Sequence, residues 1–266
     1  MSAPRSALFF DIDGTLVGEA TTDYPKSLVP ALKKARENGH YLFINTGRTA
    51  CALAPAIKAF PMDGFLCGCG TRLIYHGDVI FYHALDPKIS DEIFKMTVKC
   101  HIPTLFEGTF DNVYPREISH FKQLEDLRNY HQKNFGVGIK HFAEDGNIDC
   151  DKILSFTDEN SDADTFFNFV SQYLTIIDRG GNMYECVQKD YSKATAIEYI
   201  QKMLGLSMDQ IYVFGDSMND LSMFKYAKHT IAMGEHSEGL EPYTEYITSN
   251  LKDDGIAHAL EHYDLI

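Results

Sequence analysis

The sequence predicts an α/β fold: a Rossmann-like core on a parallel sheet, with an α+β domain inserted into it. Three observations lead to this class. Short apolar runs alternate with helical patterns near both ends of the chain. Acidic or polar residues follow several of these runs directly. In between, predicted strands adjoin one another as well as alternating with helices, which is typical of a separate α+β layer.

Near the amino terminus, the pattern predicts a strand, a helix and a second strand. The two strands are the apolar runs at residues 7–10 and 41–44. The helix between them has Pro25 near its first turn and Gly39 as its terminator. This order predicts a parallel pair of strands.

The same alternation returns near the carboxyl terminus. Ser192 is a candidate N-cap for a helix over 193–204, which Gly205 would end. The elements predicted after it are a strand at 211–214, a short helix at 221–226, a strand at 230–233 and a helix near 256–260.

The segment between these two ends has a different pattern, in which strands also follow one another directly. Its predicted elements are helices at 87–100, 119–133 and 162–173, strands near 103–106, 112–114 and 152–157, and a hairpin at 174–187 that turns at 180–182. We therefore expect a discontinuous core of residues 1–82 and 184–266, with residues 83–183 as the inserted domain.

Two aspartates follow the first predicted strand, in the sequence Asp11-Ile12-Asp13-Gly14-Thr15. Ligands of open α/β sheets bind beyond the carboxyl ends of the strands. Because side chains alternate along a strand, Asp11 and Asp13 could share a face, where two carboxylates repel each other unless a cation or a proton lies between them. The pair indicates a metal site, an acid–base pair or both, and a simple acidic turn is the alternative.

Other polar groups follow the other predicted strands. Thr46-Gly47-Arg48 comes after the second strand, Asp216 with Asn219 and Asp220 comes after strand 211–214, and Lys193 begins the helix before it. Each alone has an ordinary explanation as a turn, a helix cap or a solvated charge. Together they match the parts of a magnesium-dependent phosphoryl-transfer site.

These residues resemble the four motifs of the haloacid dehalogenase (HAD) superfamily of phosphohydrolases, in the right order. The motifs are Asp11-Ile12-Asp13-Gly14-Thr15, Ile44-Asn45-Thr46-Gly47-Arg48, Lys193, and Gly215-Asp216-Ser217-Met218-Asn219-Asp220. The long insertion after the second motif is similar to the α+β cap of the Cof-like, type IIB branch. One departure is Cys69-Gly70-Thr71, where relatives often carry Asn-Gly-Ala.

The resemblance implies a role for each motif. Asp11 would attack phosphorus to form an aspartyl-phosphate, and Asp13 would act as the general acid and base. Thr46, Gly47 and Lys193 would hold the phosphate, with Thr46 and Lys193 also counted as catalytic. The metal ligands of Mg²⁺ would be Asp11, Asp13 through its carbonyl, and Asp216. Asn219 and Asp220 would orient the metal shell and Lys193.

The function expected from this resemblance is magnesium-dependent hydrolysis of small phosphomonoesters, such as sugar phosphates or similar phosphorylated metabolites. A phosphomutase of the phosphomannomutase type uses the same intermediate and remains an alternative, as does a non-catalytic phosphate-binding regulator. Four basic residues of the cap could reach a substrate, although solvated surface charges are the simpler interpretation: Arg116, Lys122, Lys140 and Arg179.

Composition limits the partners. The net charge of −14 argues against nucleic acid or an anionic membrane as the main partner. No apolar run approaches the ~20 residues of a membrane span, and the first apolar stretch is too short for a signal peptide. The six cysteines lack the spacing of a zinc or redox motif, so we expect free thiols and a cytoplasmic location.

Overall fold

The computed structural model of the chain describes residues 5–18 and 21–266, which form two compact units. The first unit contains the described residues up to Gly47, with Pro55–Ile80 and Ser192–Ile266. The second unit contains Arg48–Ala54 and Phe81–Tyr191.

The described residues contain both strands and helices, so the fold is α/β, as predicted. The strands are β1 (Ala7–Phe10), β2 (Tyr41–Asn45), β3 (Gly64–Cys67), β4 (Arg72–Tyr75), β5 (Asp78–Tyr82), β6 (Thr104–Glu107), β7 (Asn112–Val113), β8 (Lys152–Phe156), β9 (Leu174–Asp178), β10 (Met183–Gln188), β11 (Ile211–Gly215), β12 (His229–Ala232) and β13 (Tyr246–Ile247). The α-helices are α1 (Leu28–Glu37), α2 (Pro55–Lys58), α3 (Pro87–Cys100), α4 (Lys122–Phe135), α5 (Ala163–Val170), α6 (Lys193–Leu204), α7 (Leu221–Tyr226) and α8 (Gly255–His262).

The first unit is built on an eight-stranded, mostly parallel sheet in the order β13-β12-β11-β1-β2-β3-β4-β5. The strands from β13 to β3 are paired in parallel, and β4 turns back antiparallel to β3. β1 lies between β11 and β2, and all four of its residues are fully buried. A continuous apolar run is what a parallel strand covered on both faces requires. The parallel core predicted from the sequence is confirmed.

Helix α6, which follows the second unit in the chain, begins and ends at residues with clear local signals. The Ser192 side chain accepts a hydrogen bond from the Thr195 amide at 3.2 Å, which caps the start of α6. At the other end Gly205 takes φ +65°, a left-handed conformation that glycine adopts without steric cost. Both boundaries of this helix agree with the prediction.

The second unit has an antiparallel five-stranded sheet in the order β7-β6-β8-β10-β9. Ile153 of β8 belongs to the apolar cluster that includes Ile93 of α3 and Phe166 of α5. A second cluster joins Phe156, also of β8, to Leu124 of α4. This unit therefore has a core of its own, as an inserted domain requires.

The limits of the second unit differ from those predicted. The predicted boundary at 183 falls on the first residue of β10, whose whole length pairs with β8 and β9. The divisions lie instead between Ile80 and Phe81 and between Tyr191 and Ser192. The short segment Arg48–Ala54 also belongs to this unit, because the Cys51 thiol donates to the Gly108 carbonyl at 3.2 Å.

Several helix ends also differ from the prediction. α1 starts at Leu28, so Pro25 lies in the turn before the helix, where its carbonyl accepts the Leu28 amide, and not within the first helical turn. α4 starts at Lys122 instead of 119, since the Ser119 hydroxyl accepts the Phe121 amide at 3.2 Å and competes with helix formation. α5 ends at Val170 instead of 173, where the chain tightens into turns that lead to β9.

Candidate active site

The candidate site lies within the first unit, beyond the carboxyl ends of three adjacent parallel strands. β1 ends before Asp11, β2 ends at Asn45 before Thr46, and β11 ends at Gly215 before Asp216. Register pairs Phe10 with both Phe214 and Ile44, so the residues that follow these three are brought to the same edge. This is the edge at which open α/β sheets bind ligands.

Asp11 and Lys193 form a buried ion pair at this edge. The Lys193 Nζ lies 2.7 Å from Asp11 Oδ1 and 2.5 Å from Asp220 Oδ1, and the lysine side chain is 1% exposed. Burial lowers the pKa of Lys193, but the charges of Asp11 and Asp220 more than offset this and raise the pKa above its ordinary value. The ammonium group therefore stays charged.

Asp216 is held by the loop that follows β1. The Thr15 hydroxyl donates to Asp216 Oδ1 at 2.9 Å, and Thr15 is fully buried. Gly14 has φ +82°, and a Cβ at that position would lie 2.5 Å from Asp216 Oδ2. Only glycine therefore allows the carboxylate to lie against the loop. The sequence motif contained both residues, but the sequence alone assigned neither a role, because this contact spans distant parts of the chain.

Both carboxylate oxygens of Asp220 accept hydrogen bonds. One of its oxygens accepts from Lys193, and the other accepts the amides of Asp216 at 2.9 Å and Ser217 at 3.1 Å. A Cβ on Gly215 would lie 2.5 Å from Asp220 Oδ2, so this approach also depends on a glycine. Asp220 is thus placed to orient Lys193 and the loop that carries Asp216.

Three buried carboxylates meet at this site. Asp11, Asp216 and Asp220 each offer an oxygen within 4.8 Å of the others, and the Lys193 ammonium contacts Asp11 and Asp220. Burial raises the pKa of Asp11 to about 7 against the opposing charge of Lys193. Burial, with the charges of Asp11 and Asp220, raises the pKa of Asp216 to about 8. Buried carboxylates this close together fit a divalent cation.

Thr46 and Gly47 lie in the loop after β2, which contacts the turn Gly68–Gly70. The Thr46 amide donates to the Leu66 carbonyl at 2.8 Å, and the Thr46 carbonyl accepts the Cys69 amide at 3.1 Å. Gly68, Cys69 and Gly70 all have positive φ, and Cys69 does so at +56° although it is not a glycine. The departure Cys69-Gly70-Thr71 is therefore a backbone support for the loop after β2.

The remaining predicted residues lie nearby in different settings. Asp13 is half-buried in the same loop as Thr15, pairs with Val17 through its main chain and interacts electrostatically with Asp11. Asn219 accepts the Ser217 hydroxyl at 2.8 Å. That contact supports the loop that carries Asp216.

Three of the four basic residues singled out in the second unit form ion pairs. Arg116 and Lys122 are exposed and pair with Asp145 and Asp126. Arg179 is 26% exposed and lies 2.9 Å from Glu185, whose side chain is buried. Lys140 is exposed. In the described part of the chain no helix is long and apolar enough to cross a membrane, and all six cysteines are unbridged, as predicted.

Comparison with known proteins shows which family the chain resembles. A model of the haloacid dehalogenase-like hydrolase family matches residues 8–260. The chain is 25% identical over 264 residues to 5-amino-6-(5-phospho-D-ribitylamino)uracil phosphatase YcsE of Bacillus subtilis (strain 168), covering 96% of this chain and 94% of that protein. It is 24% identical over 282 residues to phosphatase YwpJ of the same organism, covering 95% and 97%.

Solved structures of low sequence identity share the fold. BT1666 of Bacteroides thetaiotaomicron, described among phosphatases of the haloalkanoate (HAD) enzyme superfamily, matches with a TM-score of 0.83 at 23% identity, covering 98% of this chain and 96% of that one. The HAD subclass IIB sugar phosphatase BT4131 matches with a TM-score of 0.82 at 23% identity, covering 98% and 100%.

Proposed function

We propose that this chain hydrolyses small phosphomonoesters with Mg²⁺ and through an aspartyl-phosphate intermediate. The chain belongs to the haloacid dehalogenase-like hydrolases and is a phosphatase of the Cof-like group. The observation that carries the proposal is the Asp11–Lys193 pair, buried beside Asp216 at the carboxyl edge of the sheet. An ionised carboxylate next to a fixed ammonium group suits attack on a phosphorus whose oxygens are negatively charged.

Asp11 would act as the nucleophile. One carboxylate oxygen forms a bond to phosphorus while the bond from phosphorus to the ester oxygen breaks. The departing oxygen takes a proton from Asp13. The Asp13 carboxylate then takes a proton from a water molecule whose oxygen attacks phosphorus. The bond between phosphorus and the Asp11 oxygen breaks, which releases inorganic phosphate and restores the Asp11 carboxylate. Splitting one difficult displacement into two easier ones is the advantage of covalent catalysis.

Lys193, Thr46 and Gly47 would bind the transferred group. The Lys193 ammonium already touches Asp11, so it can neutralise charge on both the nucleophile and the phosphoryl oxygens. Thr46 and Gly47 follow β2 at the same edge, so the Thr46 hydroxyl and the Gly47 main-chain amide would donate hydrogen bonds to phosphate oxygens. Asp220 contacts the same ammonium group and would hold it in place.

Magnesium would be held by Asp11, Asp216 and the main-chain oxygen of Asp13. Its charge would balance those of the buried carboxylates and draw electron density from the phosphate. Asp220 supports this arrangement without serving as a ligand, because both its oxygens already accept hydrogen bonds from Lys193 and main-chain amides. Asn219 supports the same loop through Ser217.

The proposed substrate is a phosphomonoester of a sugar or a similar polyhydroxylated metabolite. Two similar proteins support this class by their names: one is a 5-amino-6-(5-phospho-D-ribitylamino)uracil phosphatase and the other a sugar phosphatase. We place the protein in the cytoplasm, and its six free thiols fit a reducing compartment.

The test is the substitution Asp11→Asn. The amide is nearly isosteric but is a poor nucleophile, so we expect turnover to fall on the order of a thousandfold or more. Phosphate release is measured from a panel of sugar phosphates with Mg²⁺, and inorganic phosphate as the product also separates a phosphatase from a phosphomutase.

Asp63→Asn is the matched control. Asp63 is a buried aspartate of the same unit that accepts the Leu42 amide at 2.9 Å, at the other end of β2. Its variant should keep turnover within a few-fold of the natural protein. Retention of more than about a tenth of the activity by Asp11→Asn would refute covalent catalysis by Asp11.

A further inference from the structure

Asn45 is a buried polar side chain at the end of β2 to which the reaction proposed above gives no role. It is 0% exposed, and its carboxamide nitrogen donates to the Lys193 carbonyl at 2.9 Å. The same nitrogen also lies 3.8 Å from the Met223 sulfur, which is a weak hydrogen-bond acceptor. The carboxamide oxygen is buried without a hydrogen-bond partner among the described residues, so the bond from the nitrogen to Lys193 is the one strong contact that offsets the cost of burying this side chain.

The bond joins two parts of the site that are 148 residues apart in the chain. Asn45 directly precedes Thr46, and Lys193 is the first residue of α6. The Ser192 cap fixes where the helix begins, but a local cap does not fix where its first turn lies relative to the strand ends. The carboxamide of Asn45 links the two, because it reaches from β2 to the main chain of the residue whose side chain contacts Asp11.

We propose that Asn45 is a positioning residue that sets the Lys193 ammonium on Asp11 by holding the first turn of α6 against the end of β2. This inference rests on the proposed function, since it concerns the geometry of the same site. Small displacements of a catalytic group, of about 1 Å, can cost on the order of a hundredfold in rate. Asn45 is fully buried and bonds to the main chain of Lys193, so its loss should act on kcat more than on KM.

The experiment is a double-mutant cycle with Asn45→Ala and Lys193→Ala, measured as kcat and KM on one sugar phosphate. We expect Asn45→Ala alone to lower kcat on the order of tenfold to a hundredfold and to change KM by less than about threefold. In the Lys193→Ala background the same substitution should lower kcat by less than about twofold, because the group it positions is gone. A merely structural role for Asn45 predicts equal effects in both backgrounds.

Asn38→Ala is the control. Asn38 also donates its side-chain nitrogen to a distant main-chain carbonyl, that of Leu265 at 3.0 Å, but it precedes β2 instead of ending it. Its variant should keep kcat. If Asn45→Ala does not fold, Asn45→Ser takes its place in the cycle, since a serine hydroxyl is too short to make this contact, and the same outcomes are expected.

Two results would overturn the inference separately from the proposed function. Equal losses with Asn45→Ala in both backgrounds, or a loss no larger than that of Asn38→Ala, would remove the positioning role while leaving Lys193 in the mechanism. If Lys193→Ala itself kept full kcat, the proposed function of Lys193 would fail and the inference with it.

Discussion

Gly14→Ala should damage the site without changing any of its charged groups. Gly14 has φ +82°, and the added Cβ would lie 2.5 Å from Asp216 Oδ2, far inside van der Waals contact. Because the loop after β1 also holds Asp216 through the Thr15 hydroxyl, the carboxylate must shift and weaken a 2.9 Å hydrogen bond. The left-handed backbone adds strain for any residue with a Cβ.

The size of the effect follows from these two contributions. The left-handed conformation costs about 1–2 kcal/mol for a non-glycine residue. Displacing Asp216 from a buried hydrogen bond costs a further ~1–3 kcal/mol. We therefore expect the free energy of unfolding to fall by roughly 2–5 kcal/mol, and Mg²⁺ affinity to fall on the order of tenfold because a proposed ligand is misplaced.

Gly77→Ala separates the two contributions. Gly77 has φ +90° and nothing within 4 Å of the position of a Cβ, so its variant has the backbone strain alone. It should lose about 1–2 kcal/mol and bind Mg²⁺ normally. Both variants are measured by thermal unfolding and by calorimetric titration with Mg²⁺. If Gly14→Ala lost no more stability than Gly77→Ala and bound Mg²⁺ equally well, our account of the Gly14–Asp216 contact would be wrong.

Three further predictions concern the metal and the turn after β3. Burial raises the pKa of Asp11 to about 7 and that of Asp216 to about 8, so the metal-free protein should lose stability as pH rises from about 4 to 8. The rise in Tm on adding Mg²⁺ should consequently be larger at pH 8 than at pH 6, and an equal rise would contradict it. Calcium should inhibit turnover in competition with Mg²⁺, because it takes more ligands at longer distances; full activity with Ca²⁺ alone would argue against this. Gly70→Ala should lower kcat, because the added Cβ would lie 2.5 Å from the carbonyl of Ser192, the residue that caps α6 just before Lys193. Gly205→Ala, at the other end of α6, should leave kcat unchanged, because a Cβ there has nothing within 4 Å.

The sequence by itself determined the elements whose signals are local. The apolar runs before Asp11 and Asp216 could be identified because strands buried on both faces are continuously apolar. The limits of α6 followed from a serine cap and a left-handed glycine, both of which act within one turn of the helix. The order of the motifs along the chain also predicted which polar residues would meet, since parallel strands bring their carboxyl ends to one edge.

Strands with weak local signals were not predicted. β3 begins at Gly64, where a Cβ would lie 2.5 Å from the Ile74 carbonyl, so the requirement for glycine comes from a neighbouring strand. The boundary of the second unit at Tyr191 was also set by pairing, because β10 bonds along its full length to β8 and β9. Such partners are absent from any local stretch of sequence.

Tertiary structure alone decided which side chains support the site. Thr15 bonds to Asp216 across 201 residues, and Asn45 bonds to Lys193 across 148. A buried hydroxyl or carboxamide is stable only where the fold supplies its partner, and that partner is set by the packing of distant elements. The sequence therefore determined which chemical groups this site contains, while the three-dimensional packing determined how they are held.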